Sequence, residues 1–256
     1  MIGKLVIGPS TGWFFAAGIN SIVQQKRILE EIPGVNAVEV PLLSLAADDK
    51  RLVELTEGGI YRGDKLHYIS LHIVDYLKYG GVNPETQIRL LTRIISRHNA
   101  QVVPIHPEKE DGNYPRGYYR ELMRAGIPLA FENMDRDKAD GWDKDELSGL
   151  ILDLEAGGII FDVQHAFEHD FSMNYARDLF MFFMSLIRHF HVSGENGQNR
   201  HALLHKSENA EAIIEFLGWA LNIKQAPLIL EGQYSVNHPG ASIAREVKFL
   251  TKELCG

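Results

Sequence analysis

Eight short apolar runs rich in β-branched residues recur along the chain at nearly regular intervals. Their first residues lie 27 to 39 positions apart, the length of one strand, one helix and two connecting loops. The runs are Lys4–Gly8, Ala37–Pro41, Tyr68–His72, Gln101–His106, Pro128–Glu132, Gly158–Asp162, Arg188–Val192 and Pro227–Glu231. Each run has the length of a buried strand rather than of a helix. The spacing therefore predicts eight repeats of one strand–helix unit.

The segments between the runs carry the apolar spacing of amphipathic helices. One such segment has apolar residues at Ile88, Leu91, Ile94 and Ile95. Pro84 suits the first turn of this helix. Eight units in strict alternation favour a closed parallel sheet, and we predict an α/β protein with a single (β/α)8 TIM barrel over residues 1–256. A doubly wound open sheet is the alternative, but it normally has fewer strands, and no Gly-x-Gly-x-x-Gly sequence follows the first strand.

Length and charge narrow the range of partners. A chain of 256 residues suits one α/β barrel of about 250 residues. The formal net charge is −8, and no block of Lys or Arg occurs. A broad nucleic-acid surface is therefore not indicated. We expect a small-molecule substrate, with nucleic acid as the less favoured partner.

The sequence also bears on the cellular compartment and on assembly. Cys255 is the only cysteine, so no intrachain disulfide can form. The N-terminus lacks the layout of a signal peptide, and no run of about 18 apolar residues occurs. We therefore expect a cytoplasmic protein without a membrane partner. The apolar run Leu179–Ile187 predicts either a buried helix flank or the face of a homo-oligomer.

Six consecutive predicted strands end in a side chain that can bind a metal ion. These residues are His72, His106, Glu132, Asp162, His191 and Glu231. In a TIM barrel the carboxyl ends of all strands meet on one face, where the active site is built. Carboxylates and imidazoles gathered there would be costly to desolvate without a cation between them. The sequence therefore predicts a divalent-metal site at this face.

Further histidines follow two of these strands. His165 comes three residues after Asp162 and can reach the same rim. His201 and His205 follow the seventh strand, and their spacing would place both on one face if that segment were helical. Nitrogen and oxygen donors without sulfur suit zinc, manganese, iron, cobalt or magnesium. The pattern alone does not choose among these metals.

Together these features resemble the xylose-isomerase-like barrel superfamily, which includes sugar isomerases, ketose 3-epimerases and endonuclease IV. In the isomerase and epimerase branch, the resemblance implies one metal ion held by ligands from the last four strands. The matching residues are Glu132, Asp162, His191 and Glu231. The resemblance further implies that Glu132 and Glu231 transfer the proton. It also implies that His165 and Arg200 contact the substrate.

Endonuclease IV carries a larger set of ligands, nine residues for three metal ions. Eight of them have counterparts: His72, His106, Glu132, Asp162, His165, His191, His201 and Glu231. The ninth ligand is an aspartate, and Asn199 stands in its place here. An amide is a weaker, uncharged ligand. The resemblance therefore implies one to three divalent ions per chain, with zinc, manganese or iron as the expected metals.

Two enzyme functions follow from these two resemblances. One is isomerisation or epimerisation of a sugar, polyol or sugar phosphate, in which a metal ion acidifies a carbon-bound proton and glutamates move it. The other is hydrolysis of a phosphoester by two or three metal ions, which His72 and His106 favour. A non-enzymatic binding protein and oxidative metal chemistry are further alternatives.

Overall fold

Eight parallel strands lie side by side in the order β1-β10-β7-β6-β5-β4-β3-β2, which confirms the predicted TIM barrel. The computed structural model describes residues 3–42, 50–73, 83–154, 157–197 and 199–256. The barrel strands are β1 (Ile7–Pro9), β2 (Ala37–Leu42), β3 (Tyr68–Ile73), β4 (Val103–Ile105), β5 (Leu129–Glu132), β6 (Ile159–Asp162), β7 (Ile187–Val192) and β10 (Leu228–Leu230). A separate antiparallel hairpin of β8 (Gly194–Asn196) and β9 (Asn199–Ala202) follows β7.

Helices connect successive strands. They are α1 (Gly12–Ala16), α2 (Ile22–Glu31), α3 (Lys50–Glu57), α4 (Pro84–His98), α5 (Arg116–Arg124), α6 (Lys144–Leu154), α7 (Val163–His169), α8 (Asn174–Phe183), α9 (Ala210–Ile223) and α10 (Pro239–Cys255). As predicted, α4 begins at Pro84, and the side chain of Asn83 caps it by accepting a hydrogen bond from the backbone N–H of Glu85 at 2.8 Å. Within the described part of the chain, no helix combines the length and the apolar character that a bilayer span requires.

The first and last strands bring the barrel to closure. β1 pairs with β10, and a parallel bridge joins Ser10 to Glu39 of β2. The backbone N–H of Thr11 donates to the carbonyl oxygen of Glu39 at 2.8 Å. Gly8 permits this approach, because a Cβ at that position would collide with the carbonyl oxygen of Ala37. Strands distant in sequence therefore face one common interior.

Alternation along each strand divides the side chains between two environments. Val38 and Val40 of β2 belong to the large apolar core that the strands share with the helices. A small second core consists of Val102, Ala130 and Ile160, which pack with Tyr68 inside the barrel. Since successive strand residues point to opposite faces, residues an even number of positions further along these strands lie above this inner layer. Glu132 and Asp162 come two positions after Ala130 and Ile160, and His72 and His106 come four positions after Tyr68 and Val102.

The observed elements differ from the prediction in two details. The strands β4 and β10 are shorter than predicted, so His106 and Glu231 come one residue after them, while Glu132 and Asp162 end their strands. No helix aligns His201 with His205, because Asn199–Ala202 is a strand of the hairpin and His205 lies in a 3₁₀ turn. In the run that begins at Leu179, Phe180 is buried in the core while Met181 and Phe182 are exposed, so the face of a homo-oligomer stays a prediction.

Candidate metal centre

The six strand-end side chains converge at the mouth of the barrel. His72, Glu132, Asp162 and His191 are buried, and His106 and Glu231 are partly buried. Register explains the convergence, since Asp162 pairs with His191 across neighbouring strands. The carboxyl ends of parallel strands share one rim, so the structure brings together all six residues that the strand pattern singles out.

A first cluster consists of Glu132, Asp162, His191 and Glu231. Each of the four offers a ligand atom, and these atoms lie within 4.8 Å of one another. Nδ1 of His191 is 3.2 Å from Oε1 of Glu132 and 3.4 Å from Oε2 of Glu231. This set contains the four residues that the resemblance to sugar isomerases and epimerases implies.

A second cluster joins His72 and His106 to Glu132. The Nε2 atoms of the two histidines are 3.2 Å apart. They lie 3.3 Å and 3.5 Å from Oε2 of Glu132. Glu132 therefore belongs to both clusters, with one oxygen turned towards each. This is the arrangement by which a carboxylate can bridge two cations.

Several buried atoms of the two clusters lack hydrogen-bond partners among the described residues. They are Oδ2 of Asp162 and Nδ1 of His191 in the first cluster, and Oε2 of Glu132, which faces the second. Leaving a buried polar atom unpaired costs about 1–3 kcal/mol, so these atoms require an explanation. Divalent cations bound by oxygen and imidazole nitrogen would satisfy them. The residues present therefore fit a metal ion.

The charges inside the centre also favour a bound metal ion. Burial lowers the pKa of His191, but the carboxylates of Glu231, Glu132 and Glu39 more than offset this and hold it well above its usual range. Burial likewise lowers the pKa of His165, and the carboxylates of Asp162 and Glu132 raise it to about 9. Without metal, protonated imidazoles thus balance the buried carboxylates. A bound cation would take over that balancing charge.

Glu39 is a member of the centre that the strand-end pattern missed. It is fully buried inside the barrel, two residues before the position on β2 that pairs with His72. Its carboxylate lies 3.2 Å from Nδ1 of His72 and 3.2 Å from Nε2 of His191. Burial raises the pKa of Glu39, but the neighbouring His191 and His72 lower it by more than burial raises it. The pKa of Glu39 therefore lies well below its usual value.

Two sequence signals could have found the interior residues. Glu39 is a lone carboxylate flanked by Val38 and Val40 in an apolar strand, where the alternation directs it away from the helices and into the barrel. His189 precedes His191 by two positions, so both histidines face the interior. The strand-end criterion passed over both residues because it considered only the last position of each strand.

Local structure at the start of α7 places Asp162 and His165. β6 ends at Asp162 and α7 begins at the next residue, with Oδ1 of Asp162 capping the helix through the backbone N–H of His165 at 2.8 Å. Nδ1–H of His165 donates to the carbonyl oxygen of Asn133 at 2.9 Å. The Asn133 side chain is bonded to both backbone groups of Asp162. These bonds leave Oδ2 of Asp162 for the centre.

A cavity of about 260 Å³ opens directly above the centre. His72, His106, Glu132, His165, His201 and Glu231 contribute to its wall. Trp13 closes one side, where its indole N–H donates to the carbonyl oxygen of Glu231 at 3.4 Å. Lys138 and Asp135 approach from the β5–α6 connection. The volume suits a small polar molecule rather than a polymer.

The candidate site residues that follow β7 lie in different surroundings. His201 lines the cavity, and its ring centroid is 5.9 Å from that of His165. Arg200 instead pairs with Asp137 and Glu168 outside the cavity wall, so its contact with substrate stays a prediction. His205 bonds Glu246 of α10, away from the centre.

Asn199 holds the hairpin in shape. Its side-chain oxygen accepts the backbone N–H of His201 at 2.9 Å. Its amide nitrogen donates to Gln233 at 2.6 Å and to the carbonyl oxygen of His201 at 3.3 Å. Both ends of the amide are thus engaged in local bonds, and the neighbouring Gln198 lies outside the described residues. At the position of the ninth endonuclease IV ligand, this chain carries a side chain that is bonded to its own hairpin and to Gln233.

Solved structures with the same architecture are similar to this chain over nearly its whole length. A 3-keto-D-glucoside 4-epimerase from E. coli has a TM-score of 0.65 at 16% identity and covers 97% of this chain and 100% of its own. Endonuclease IV from Thermus thermophilus has a TM-score of 0.60 at 17% identity, with 97% and 99% covered. A D-psicose 3-epimerase from Clostridium cellulolyticum has a TM-score of 0.59 at 10% identity, with 98% of each chain covered.

The chain has the fold of the xylose-isomerase-like TIM barrels. The resemblance found in the strand-end residues is thereby confirmed at the level of the fold. No protein-family model and no curated protein sequence matches the chain. At identities of 10% to 17% the structures share architecture, and the reaction has to be argued from the site.

Proposed function

We propose that this chain is a divalent-metal-dependent isomerase or epimerase of a small sugar, polyol or sugar phosphate. The observation that carries the proposal is that Glu132 and Glu231 both lie within 3.4 Å of Nδ1 of His191 and both line one small cavity. Two carboxylates within reach of one bound molecule are what removal and return of a carbon-bound proton requires. The sugar epimerases among the structural neighbours support this choice.

In this proposal Glu132, Asp162, His191 and Glu231 hold the metal ion. The ion would supply Lewis acidity to two adjacent substrate oxygens and so make the neighbouring C–H more acidic. One glutamate accepts that proton on a carboxylate oxygen, and the other glutamate delivers a proton. In an isomerase or epimerase, delivery to a different carbon or face changes the product. His165, fixed through Nδ1 by the carbonyl oxygen of Asn133, orients a substrate hydroxyl from the cavity wall.

The cavity itself supports a small substrate. Its wall combines the apolar faces of Trp13 and Met134 with the polar groups of the centre and the ammonium of Lys138. Such a mixture suits a molecule with one apolar face and several hydroxyls. Lys138 offers a positive charge for a phosphate, as does Arg200 if it releases Asp137. The net charge of −8 gives no general attraction for a nucleic-acid backbone.

A second candidate function is phosphoester hydrolysis with two metal ions. The cluster of His72, His106 and Glu132 favours it, because a single-metal isomerase needs no ligands there. Endonuclease IV shares the fold. Two ions bridged by Glu132 would activate water and stabilise the leaving oxygen.

One experiment compares the two functions directly. The purified protein is loaded with manganese, cobalt, magnesium or zinc and incubated in D₂O with a panel of ketoses and ketose phosphates. Deuterium incorporation at carbon, followed by NMR, is the expected result. The same preparations are tested for hydrolysis of bis(p-nitrophenyl) phosphate and of a duplex with an abasic site. Hydrolysis without carbon exchange would replace the isomerase proposal by the second candidate.

A further inference from the structure

The carboxylate of Glu39 lies beneath the mouth of the barrel and connects the two clusters of candidate metal ligands. It lies in the barrel interior and is fully buried. Its Oε1 faces Nδ1 of His72 at 3.2 Å, and its Oε2 faces Nε2 of His191 at 3.2 Å. The hydroxyl of Ser70 donates to Oε2 at 2.8 Å. One side chain therefore touches one histidine of each cluster.

The two histidines present opposite ring nitrogens to Glu39. His72 turns Nδ1 to Glu39, and its Nε2 lies 3.3 Å from Oε2 of Glu132 in the second cluster. His191 turns Nε2 to Glu39, and its Nδ1 lies 3.2 Å from Oε1 of Glu132 in the first cluster. A neutral imidazole carries its proton on one nitrogen and a lone pair on the other. A carboxylate that accepts from one nitrogen thus leaves the lone pair on the opposite nitrogen.

We infer that Glu39 is a positioning residue that fixes complementary tautomers of His72 and His191, so that both metal clusters receive their imidazole lone pairs from one shared carboxylate. His72 would bind through Nε2 and His191 through Nδ1. The inference rests on the metal dependence of the proposed function, and it adds a residue outside the eight ligands that the resemblance implies. Hydrogen bonds of this kind orient metal-binding histidines and increase the basicity of their lone pairs.

The surroundings of Glu39 favour positioning over direct ligation. Glu39, His72, His191 and Glu231 do lie close enough to share an ion. However, both oxygens of Glu39 already have partners, because Ser70 and His191 bond Oε2 and His72 bonds Oε1. At the mouth, by contrast, Oε2 of Glu132, Oδ2 of Asp162 and Nδ1 of His191 have no hydrogen-bond partner among the described residues. A cation is needed there rather than at Glu39.

A support below Glu39 completes the arrangement. Nε2 of His189 lies 3.4 Å from Oε2 of Glu39, and its Nδ1 lies 2.8 Å from the hydroxyl of Tyr68. A carboxylate oxygen only accepts hydrogen bonds, so Nε2–H of His189 faces Glu39 and the Tyr68 hydroxyl donates to Nδ1. The chain from Tyr68 to Glu39 limits rotation of the carboxylate.

Histidine NMR of the zinc-loaded protein tests the tautomers themselves. Long-range ¹H–¹⁵N correlations distinguish a ring bound through Nε2 from one bound through Nδ1. We expect His72 to bind through Nε2 and His191 through Nδ1, with assignment by His72→Gln and His191→Gln. The opposite nitrogen on either residue would overturn the inference.

Metal binding by Glu39 variants provides the second test. Glu39→Gln keeps the volume, but its single carbonyl oxygen cannot accept from both histidines. We expect cobalt or zinc affinity about 10- to 100-fold weaker, a changed cobalt absorption spectrum, and an unchanged number of ions at saturation. Affinity within twofold of the intact protein, or the loss of one ion at saturation, would overturn the inference, since the latter would make Glu39 a ligand.

Two further variants guard against misfolding. Ser70→Ala removes one hydrogen bond from Oε2 and leaves the carboxylate, so we expect a smaller, several-fold loss of affinity. Glu31→Gln, at the exposed last residue of α2, is the matched control and should bind metal as the intact protein does. All readouts use metal without substrate. Expected tautomers in a protein that fails to exchange carbon-bound protons would reject the isomerase proposal and leave the role of Glu39 standing.

Discussion

Nε2 of His72 and Nε2 of His106 lie 3.2 Å apart, at the carboxyl ends of two neighbouring strands of the barrel. Both nitrogens also lie within 3.5 Å of the same oxygen of Glu132. The two imidazoles can share this space if Nε2–H of one donates to Nε2 of the other, or if a cation lies among the three groups. Burial keeps the pKa of His106 low despite Glu132, so His106 offers a lone pair at neutral pH.

The metal content of the protein should follow from this arrangement. We expect at least two divalent ions per chain, one in each cluster that contains Glu132. His106→Ala should remove one ion and leave the other, which elemental analysis of protein purified without chelator can count. His67→Ala, at an exposed position, is the control with unchanged content. A single ion in the intact protein, retained by His106→Ala, would contradict the second site.

The two glutamates on the cavity wall should be essential for turnover. Glu132→Gln and Glu231→Gln each remove a proton acceptor without changing volume, so activity should fall by about 10²- to 10⁴-fold. Circular dichroism should show an intact fold, because both residues lie at the mouth, beyond the packed barrel core. Glu31→Gln serves as the control. Retained turnover in either variant would remove that residue from the mechanism.

Asp162 has two roles that two substitutions can separate. Asp162→Asn keeps an oxygen that can cap α7 but removes the charged ligand atom, while Asp162→Ala removes both. A cation bound only by the folded state stabilises it by about 2.7 kcal/mol at a concentration 100-fold above Kd. We therefore expect both variants to lose this metal-dependent increase in Tm. In chelator, Asp162→Ala alone should have a lower Tm, because loss of the cap reduces the free energy of unfolding by about 1 kcal/mol. Equal melting of the intact protein with and without chelator would argue against a tightly bound ion.

Metal binding should release protons at neutral pH. The carboxylates of Glu231, Glu132 and Glu39 hold the pKa of His191 well above its usual range, against the effect of burial. This proposed ligand is therefore protonated at pH 7 in the metal-free protein, and it must lose its proton to bind a metal ion. Affinity should accordingly rise as the pH is raised from 7. Calorimetry in buffers of different ionisation enthalpy measures the proton count, and a count of zero would contradict the prediction.

Closure of the barrel should depend on one glycine. In Gly8→Ala the new methyl group would collide with the carbonyl oxygen of Ala37, and overpacking of this kind costs about 1–3 kcal/mol. Gly149→Ala, within α6 and with no atom within 4 Å of the added Cβ, should instead stabilise the protein by about 0.5–1 kcal/mol. Urea unfolding compares the two variants. Equal stability of Gly8→Ala and the intact protein would show that β1 and β2 can separate without cost.

The barrel and its strand-end residues were predictable because each rests on a repeated local pattern. Apolar runs of five or six residues that begin 27 to 39 positions apart leave few architectures for a chain of this length. Once the barrel is assumed, topology alone brings Glu132 and Glu231 together. The identity of each neighbour across the mouth then follows from strand order rather than from sequence separation.

Other features depend on contacts that strand-end patterns do not express. Alternation along β2 can place Glu39 inside the barrel, but its role depends on its contacts with His72 and His191. The β8–β9 hairpin did have a local signal, since Asn196–Gly197 is a sequence typical of tight turns, but its strands are short and polar. The approach of Lys138 to the cavity depends on the path of a charge-rich loop, which its composition does not determine.

The hydrogen bond from the indole of Trp13 to the carbonyl oxygen of Glu231 gives this protein a built-in optical signal. The chain contains three tryptophans, and this one borders the cavity, directly beside a residue of the centre. Filling of the cavity changes the polarity around its ring, and any shift of Glu231 changes the bond to its nitrogen. The emission of Trp13, isolated by replacing Trp142 and Trp219 with phenylalanine, can therefore report occupancy in real time, before any product is known.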